Sequence, residues 1–264
     1  MNNNLFNLQG KVALVTGGNG GLGLGFARGI AKCGGDLVIW GRDSEKNAAA
    51  VAELSTFGGR VQAKIVDVTD DAAVADGMQS AVDIMGRLDC VVANAGMTMP
   101  NRSLLDLTTE DYLALLEVNQ HGGFFTLREA ARQMVKRVEA GSPGGSLIVC
   151  GSLSVFCGAQ GMAHYGASKS AMAAMMKTAA VELGQYGIRA NMVALGLVNT
   201  ELLRHELGTD MVTFIESEYA KGTPLQRVGS VEDVEGIAAY LASDCSAYHS
   251  GDIILIDGGR LATI

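Results

Sequence analysis

The chain has 264 residues, of which 48% are hydrophobic, and a formal net charge of −8. The hydrophobic share excludes an intrinsically disordered chain, and the acidic balance argues against nucleic-acid partners, which require clustered Lys and Arg. No apolar run is long enough to span a bilayer, and the Asn-rich first ten residues lack the pattern of a signal peptide. We therefore expect a cytoplasmic protein with no membrane or nucleic-acid partner.

Short apolar runs alternate with helical stretches along the whole chain, and the runs are rich in Val, Leu and Ile, as in strands covered on both faces. Predicted strands cover residues 11–16, 36–40, 61–66, 88–94, 147–151, 188–193 and 252–256. Predicted helices cover residues 21–33, 44–57, 71–86, 124–138 and 164–186. This alternation predicts the α/β class: a single-domain, Rossmann-type, doubly wound parallel sheet over 1–264 with helices on both faces.

Two further features bear on organisation. Residues 199–223 interrupt the alternation with a helix-containing excursion, and long insertions of this kind often cover a functional site. We therefore expect this segment to cover the substrate. The five cysteines are odd in number and match no zinc spacing, so we expect buried free thiols and no metal site.

A glycine-rich turn follows the first predicted strand and opens the first predicted helix. Glycines at such a turn let a ligand approach the backbone, and amides at a helix start can bind a diphosphate. The strand–turn–helix context makes the pattern more specific than a bare glycine motif, whose alternative is an ordinary turn. The residues that we predict to bind the cofactor here are Gly17, Asn19, Gly20, Gly21, Leu22 and Gly23.

The end of the second strand is expected to meet the adenosine ribose of a dinucleotide. A carboxylate there binds the ribose 2′-hydroxyl of NAD, whereas an arginine accepts the 2′-phosphate of NADP. Gly41 occupies the expected carboxylate position and Arg42 follows, which favours NADP. Asp43 keeps NAD open as the alternative, and Arg42 as a solvated loop charge is the other interpretation.

Two more strand ends supply candidate cofactor contacts. Asp67 and Val68 are predicted to end the third strand near the adenine, with capping of the next helix by Thr69 or Asp70 as a separate role. Asn94, Ala95 and Gly96 end the fourth strand, where small residues leave room for the cofactor. We also expect the Asn94 side chain to tie neighbouring strands together.

Tyr165 and Lys169 are four residues apart in a predicted helix, which places them one turn apart on the same face. A phenol ordinarily ionises near pH 10, and a neighbouring ammonium favours the phenolate. Ser152 precedes Tyr165 by 13 residues at a strand end, where ligands bind in such sheets. Its hydroxyl is a candidate for holding a substrate oxygen, with Ser154 as the competing candidate. Taken alone, the Tyr–Lys pair is a weak signal.

Together these motifs resemble the short-chain dehydrogenase/reductase family, in its branch of about 250 residues, over nearly the whole chain. The resemblance implies that Tyr165 is a general acid/base, that Ser152 anchors the substrate oxygen and that Lys169 binds the nicotinamide ribose. It implies that Asn119 holds a water linking Lys169 to solvent, that Asn94 and Gly96 line the cofactor path, and that Val198 and Thr200 contact the nicotinamide carboxamide. It also implies a homotetramer in which the helices around 124–138 and 164–186 pack between subunits.

The chain departs from the family pattern at three places. Leu195 stands before Gly196 where the family usually has proline, which puts Val198 and Thr200 in doubt. Gly20 stands where many NADP-using members carry a basic residue, and His121 is unusual two residues after Asn119. The three-residue gap between Tyr165 and Lys169 argues against the enoyl-reductase branch, which has a longer gap.

Apolar residues dominate the segments expected around the substrate, so we expect a hydrophobic secondary alcohol or ketone. These residues are Met97, Met99, Leu153, Val155, Phe156, Met162, Leu195, Leu202, Leu203 and Phe214. His164 is expected to face away from the site. The predicted function is hydride transfer between NADP(H), or alternatively NAD(H), and such a substrate. A catalytically silent nicotinamide-binding sensor and a lyase or epimerase of the same fold are the alternatives.

Overall fold

A seven-stranded parallel sheet forms the centre of the molecule. The computed structural model describes residues 5–200 and 209–263. The strands are β1 Val12–Thr16, β2 Asp36–Trp40, β3 Val61–Lys64, β4 Cys90–Ala93, β5 Ser146–Ser152, β6 Arg189–Leu195 and β7 Ile253–Ile256. They are hydrogen-bonded in the order β3-β2-β1-β4-β5-β6-β7. The order reverses between β1 and β4, and ligands bind beyond the carboxyl ends of strands at such a switch point.

Helices cover both faces of this sheet. In the described residues they are α1 Gly21–Lys32, α2 Ser44–Ser55, α3 Asp71–Met85, α4 Thr109–Leu116, α5 Gly122–Glu139, α6 Ala163–Leu183, α7 Thr209–Lys221 and α8 Glu235–Ala242. One buried apolar cluster joins the sheet to α3, α5 and α6. A second cluster joins the opposite face to α1, α2 and α8. The predicted Rossmann-type doubly wound sheet is therefore confirmed.

The strand sequences explain the two cores. Val12 and Leu14 of β1 contribute to the first cluster, and Ala13 and Val15 contribute to the second. Successive side chains of a strand point to opposite faces, so a strand between two helical layers must be apolar throughout. All five residues of β1 are buried, as this argument requires.

Some predicted boundaries are wrong. β3 ends at Lys64, so Asp67 and Val68 do not end the strand but lie in the loop after it. Helices α4 and α8 are each only eight residues long and were not predicted, because so short a segment shows little helical periodicity. The sixth helix ends at Leu183 and continues as a 3-10 turn to Tyr186, where Gly187 takes a φ of 67°.

The cysteines are all free thiols, but their burial differs from the expectation. Cys90 and Cys150 are buried, whereas Cys33 and Cys157 are half-buried and Cys245 is exposed. Burial raises the pKa of Cys90 to about 12, which keeps this thiol protonated. Among the described helices, none combines the length and apolarity required to cross a bilayer.

Candidate active site

The glycine-rich turn leaves β1 and enters α1 as a compact cradle. Gly17 and Gly21 have φ angles of 64° and 48°, a region that glycine adopts without strain. A Cβ at Gly23 would lie 2.0 Å from the carbonyl oxygen of Gly17, so the helix packs directly on the turn. A Cβ at Gly20 would meet no atom of the described chain within 4 Å, so this side of the turn is open. The start of α1 is therefore open on this side, as a diphosphate site requires.

The turn and the loop after β6 lie close together. A Cβ on Gly21 would lie 3.7 Å from the Cβ atom of Thr200, so Thr200 stands beside the start of α1. Leu22 is half-buried and packs against the second apolar cluster. The space beyond β1, where the sequence predicts the cofactor, is thus bordered by Gly17, Gly20, Gly21, Gly23 and Thr200.

Gly41 provides room for an amide pair that sequence reasoning missed. Asn19 Nδ2 donates to Asn47 Oδ1 at 2.8 Å, and Asn47 Nδ2 donates to the Gly41 carbonyl at 3.0 Å. A Cβ at Gly41 would lie 2.1 Å from Asn19 Nδ2. The position where NAD-binding proteins place a carboxylate is therefore filled by Asn19. Asn47 could not be found from spacing, because its partners Asn19 and Gly41 lie outside α2, in the turn after β1 and the loop after β2.

The two charged residues that follow β2, Arg42 and Asp43, differ in their hydrogen bonding. Asp43 accepts from the amides of Glu45 and Lys46 at 2.9 and 3.0 Å and so caps α2. Arg42 is exposed, with its Nη1 at 3.8 Å from Asp67 Oδ2. Because Asp43 is engaged in capping, Arg42 is the group that remains available to a 2′-phosphate.

Asp67 and Val68, which were expected to meet the cofactor, also make contacts within the protein around the loop after β3. Hydrogen bonds from Thr69, chiefly from its backbone amide, lower the pKa of Asp67, and Arg42 adds to the effect. Asp70, and not Asp67, caps α3 by accepting from Ala73 N at 3.0 Å. Val68 is buried in the first apolar cluster, so its backbone rather than its side chain is available to a ligand.

Asn94 joins two strands, as expected. Its Nδ2 donates to the Thr16 carbonyl at 2.9 Å, and Thr16 Oγ1 accepts from the amides of Asn94 and Ala95 at 3.0 and 2.9 Å. These bonds hold the ends of β1 and β4 together at the switch point of the sheet. Gly96 follows, and a Cβ there would lie 3.1 Å from Asn119 Oδ1.

Asn119 lies in a π-helical turn, Glu117–His121, between α4 and α5. Its side chain holds the loop after β4, because Oδ1 accepts from Met97 N at 2.7 Å and Nδ2 donates to Met97 O at 2.9 Å. Nδ2 also lies 3.5 Å from Ser168 Oγ on α6. π-Helical turns are frequent at functional sites because the extra residue redirects side chains and carbonyls.

Lys169 and Tyr165 lie together where α6 passes the end of β5. The Lys169 side chain is buried at 7% exposure, and its Nζ donates to the Cys150 carbonyl at 3.0 Å. The same Nζ lies 5.7 Å from the centroid of the Tyr165 ring. Ser168 Oγ donates to the Tyr165 carbonyl at 2.8 Å and links this pair to Asn119.

The two candidate serines occupy different places. Ser152 is the last residue of β5, and its hydroxyl accepts from Ser154 N at 3.2 Å. Ser154 Oγ is buried and has no hydrogen-bond partner in the described part of the chain. Ser154 lines a cavity of about 480 Å³ together with Arg102, Cys157 and the start of α6.

The exit from β6 is held by backbone pairing. Val198 forms a parallel bridge with Gly229, and Asn199 N donates to the Gly229 carbonyl at 3.0 Å. Val198 is half-buried against the second apolar cluster. Leu195, at the position where the family has proline, is buried at the end of β6.

Other expected substrate contacts have mixed outcomes. Phe214 is 63% exposed on α7, and Leu202 and Leu203 lie outside the described residues. His164, which was expected to face away from the site, is buried at 1% exposure. Neither of its ring nitrogens has a hydrogen-bond partner among the described residues. Burial lowers the pKa of His164, so the ring is neutral near pH 7.

The chain is similar to known proteins over nearly its whole length. A family model described as Enoyl-(Acyl carrier protein) reductase matches residues 17–260. An L-rhamnose 1-dehydrogenase (NAD(P)(+)) of Sphingomonas sp. is 36% identical over 97% of this chain and 98% of its own. A 3-oxoacyl-[acyl-carrier-protein] reductase of Chlamydia pneumoniae is 32% identical over 96% of this chain and 97% of its own.

A solved structure completes the comparison. The gluconate 5-dehydrogenase from Burkholderia cenocepacia J2315, in complex with NADP and tartrate, superposes with a TM-score of 0.89 at 32% identity, covering 98% of both chains. The chain belongs to the short-chain dehydrogenase/reductase family, as the motifs predict. Its relatives are oxidoreductases, and those named for a cofactor use NAD(P).

Proposed function

We propose that the protein is an NADP(H)-dependent oxidoreductase that interconverts a secondary alcohol and a ketone. The observation that carries the proposal is the buried Lys169 ammonium 5.7 Å from the Tyr165 ring centroid. This pair lies at the carboxyl end of the sheet, on which the glycine-rich turn also opens. A lysine with only a structural role would not need to be buried beside a half-buried tyrosine at this end of the sheet.

The roles of the residues follow from chemistry. A bound nicotinamide supplies or accepts the hydride. In the direction of reduction, the Tyr165 hydroxyl donates a proton to the substrate oxygen, while the Ser152 hydroxyl donates a hydrogen bond to the same oxygen. Lys169 stabilises the resulting phenolate. Asn119 positions the loop after β4 through its two bonds to Met97 and contacts Ser168, next to Lys169.

The preference for NADP rests on the groups beyond β2. Asn19 fills the space at Gly41, so no carboxylate can stand there without displacing it. Asp43 is engaged as a helix cap, and Arg42 is exposed. NAD remains the alternative cofactor.

Two substrate classes are compatible with this chemistry. A hydrophobic alcohol or ketone was expected from the apolar residues, and Leu153, Met162 and Val155 remain available to line its site. Relatives named for rhamnose and gluconate favour a polyhydroxylated substrate instead. The polar atoms of α7, described below, support the second class.

The matched serines test the assignment of the site. Turnover is followed by the absorbance of reduced cofactor, with both cofactors and both classes of alcohol. Ser152→Ala is expected to lower kcat at least 100-fold, because a donor to the reacting oxygen is lost, whereas Ser154→Ala is expected to stay within about three-fold. Equal losses in the two variants, or a larger loss in Ser154→Ala, would show that the substrate oxygen is not anchored by Ser152 as proposed. Cofactor binding without turnover of any alcohol would favour the silent sensor, and redox-neutral conversion would favour the lyase or epimerase.

We also propose a homotetramer assembled through α5 and α6. A groove of about 800 Å³ runs between these helices, and its apolar lining residues are Phe124, Leu127, Ala131, Val135, Ala174, Met175, Ala179 and Leu183. A second copy of the same helices would bury this surface. Light scattering that gives a monomer mass would reject the assembly.

A cytoplasmic location remains a prediction.

A further inference from the structure

Two oxygen atoms on α7 are buried without a hydrogen-bond partner in the described part of the chain. They are Tyr219 Oη and one carboxylate oxygen of Glu216. Val212, which is buried at 3% exposure, precedes Glu216 by four residues, and Tyr219 follows Glu216 by three. This spacing places all three on one face of the helix. The face of α7 that turns toward the protein is therefore apolar at one end and polar at the other.

The position of Tyr219 Oη relates this face to the reacting oxygen. A Cβ built on Gly196 would lie 3.0 Å from Tyr219 Oη, so the hydroxyl stands directly beside the exit of β6. Leu195, the preceding residue, is paired with Ser152 across β5 and β6. Neighbouring strands lie about 5 Å apart. Tyr219 therefore places its hydroxyl at the end of the strand next to the one that carries Ser152.

The Tyr219 ring is fixed in this position. The Arg260 guanidinium lies 5.0 Å from the ring centroid, and a Cβ at Gly222 would collide with the same guanidinium. Burial raises the pKa of Tyr219, an effect that a weak interaction of the Leu197 backbone amide with Oη and the charge of Arg260 partly offset. Among the described residues, no group accepts a hydrogen bond from the phenol proton. The phenol therefore stays protonated near neutral pH and is able to donate a hydrogen bond.

Buried polar atoms without partners are costly and are rare in folded proteins. The cost is recovered when a ligand supplies the missing hydrogen bonds. A carboxylate accepts from hydroxyl groups, and a protonated phenol both donates to and accepts from them. A purely hydrophobic substrate would leave the phenol proton of Tyr219 and the buried Glu216 oxygen without partners among the described residues. A carboxylate on the substrate would be repelled by Glu216.

We infer that Glu216 and Tyr219 form a polar wall of the substrate site that selects a neutral, polyhydroxylated alcohol or ketone. This inference rests on the proposed oxidoreductase function and names its substrate class. It replaces the expectation of a hydrophobic substrate, which came from the apolar residues alone.

The test compares two variants with two matched controls. Glu216→Met and Tyr219→Phe remove the buried oxygens, while Glu218→Met and Tyr248→Phe make the same changes at exposed positions of 51% and 105% exposure. The substrates are D-sorbitol and D-fructose as neutral polyhydroxylated probes, D-gluconate as the charged probe, and 2-octanol and 2-octanone as hydrophobic probes. The cofactors are NADP⁺ and NAD⁺ for the alcohols, and NADPH and NADH for the ketones.

The wild-type enzyme is expected to turn over the neutral polyhydroxylated probes in preference to the other two kinds. Each buried-site variant is expected to lower kcat/KM for those probes roughly 10- to 100-fold and to change the affinity for NADPH by less than two-fold. The unfolding temperature without substrate is expected to stay the same or rise, because an unpartnered polar atom is removed. Both controls are expected to resemble the wild type.

Four outcomes would overturn the inference. Turnover of 2-octanol and 2-octanone alone would leave the proposed oxidoreductase intact and reject the polar wall. A preference for D-gluconate would reject the neutral class. Equal losses on both classes, or losses accompanied by a lower unfolding temperature, would show that the two residues are structural. No turnover of any probe with either cofactor would reject the proposed function, and the inference with it.

Discussion

Replacing Arg42 with alanine tests how the protein chooses between NADP and NAD. Arg42 is 77% exposed, and its only charged neighbour within 4 Å among the described residues is Asp67, at 3.8 Å. An exposed pair at this distance contributes less than about 1 kcal/mol, so little is lost when the guanidinium turns toward a phosphate. A charge-assisted hydrogen bond contributes about 1.5–3 kcal/mol. At about 1.4 kcal/mol per ten-fold change, the variant should bind NADPH roughly 10- to 100-fold more weakly.

The assay is the fluorescence of reduced cofactor, titrated for NADPH and NADH with each variant. NADH affinity should change by less than about three-fold, because NADH has no 2′-phosphate. Arg60→Ala is the matched control: Arg60 is also exposed, but it precedes β3 and pairs with Asp36 at the opposite end of the sheet. The control should leave both affinities unchanged.

An unchanged NADPH affinity in Arg42→Ala would refute the argument. A wild-type preference for NADH that survives the substitution would do so as well. In either case the arginine would be a solvated loop charge, and the amide pair of Asn19 and Asn47 would have to determine the cofactor.

Two further substitutions test the cofactor cradle and the buried ion pair of Asp89 and Arg137. Gly23→Ala should lower NADPH affinity at least ten-fold in the same titration, because its Cβ would lie 2.0 Å from the Gly17 carbonyl oxygen; Gly236→Ala, whose Cβ meets no described atom within 4 Å, should not. Asp89→Asn should lower the free energy of unfolding at pH 7 by about 3 kcal/mol in denaturant titrations, because Arg137 would remain buried without its carboxylate.

The Asp89 prediction has a definite pH dependence. Burial by itself would raise the pKa of this carboxyl, but hydrogen bonds from Arg87, Arg137 and the Val12 amide bring it below its ordinary value of 3.8. A lowered pKa in the folded state stabilises the fold above pH 3.8, and the contribution is lost as the pH falls through the folded-state value. The difference between wild type and variant should therefore shrink below about pH 4. A difference in unfolding free energy that stays constant down to pH 2 would contradict the lowered pKa of Asp89. A Gly23→Ala variant with normal NADPH affinity would contradict the proposed cofactor cradle.

The sequence was sufficient wherever the signal is local. Strands such as β1 and β4 are continuous apolar runs. The glycine-rich turn follows a strand directly, and Tyr165 and Lys169 are one helical turn apart. The loop position of Asp67 and the short helix α4 were not predicted, because their limits depend on tertiary contacts rather than on periodicity.

The features that sharpen the site are long-range and could not be predicted. Asn47 completes a chain of amides only when α2 meets the glycine-rich turn, and the burial of His164 depends on the contact between α4 and α6. Glu216 and Tyr219 have ordinary spacing for a surface helix. Their buried oxygens become visible only once α7 lies against the exit of β6.

The central claim is that the Tyr165 hydroxyl transfers the proton that accompanies hydride transfer. The most direct measurement is the turnover number of Tyr165→Phe together with its affinity for NADPH, using the best probe found for the wild type. We predict that kcat falls 100- to 10,000-fold, the range of general acid–base catalysis, while the NADPH dissociation constant stays within about two-fold. A variant that retains more than a tenth of the wild-type turnover would contradict the claim.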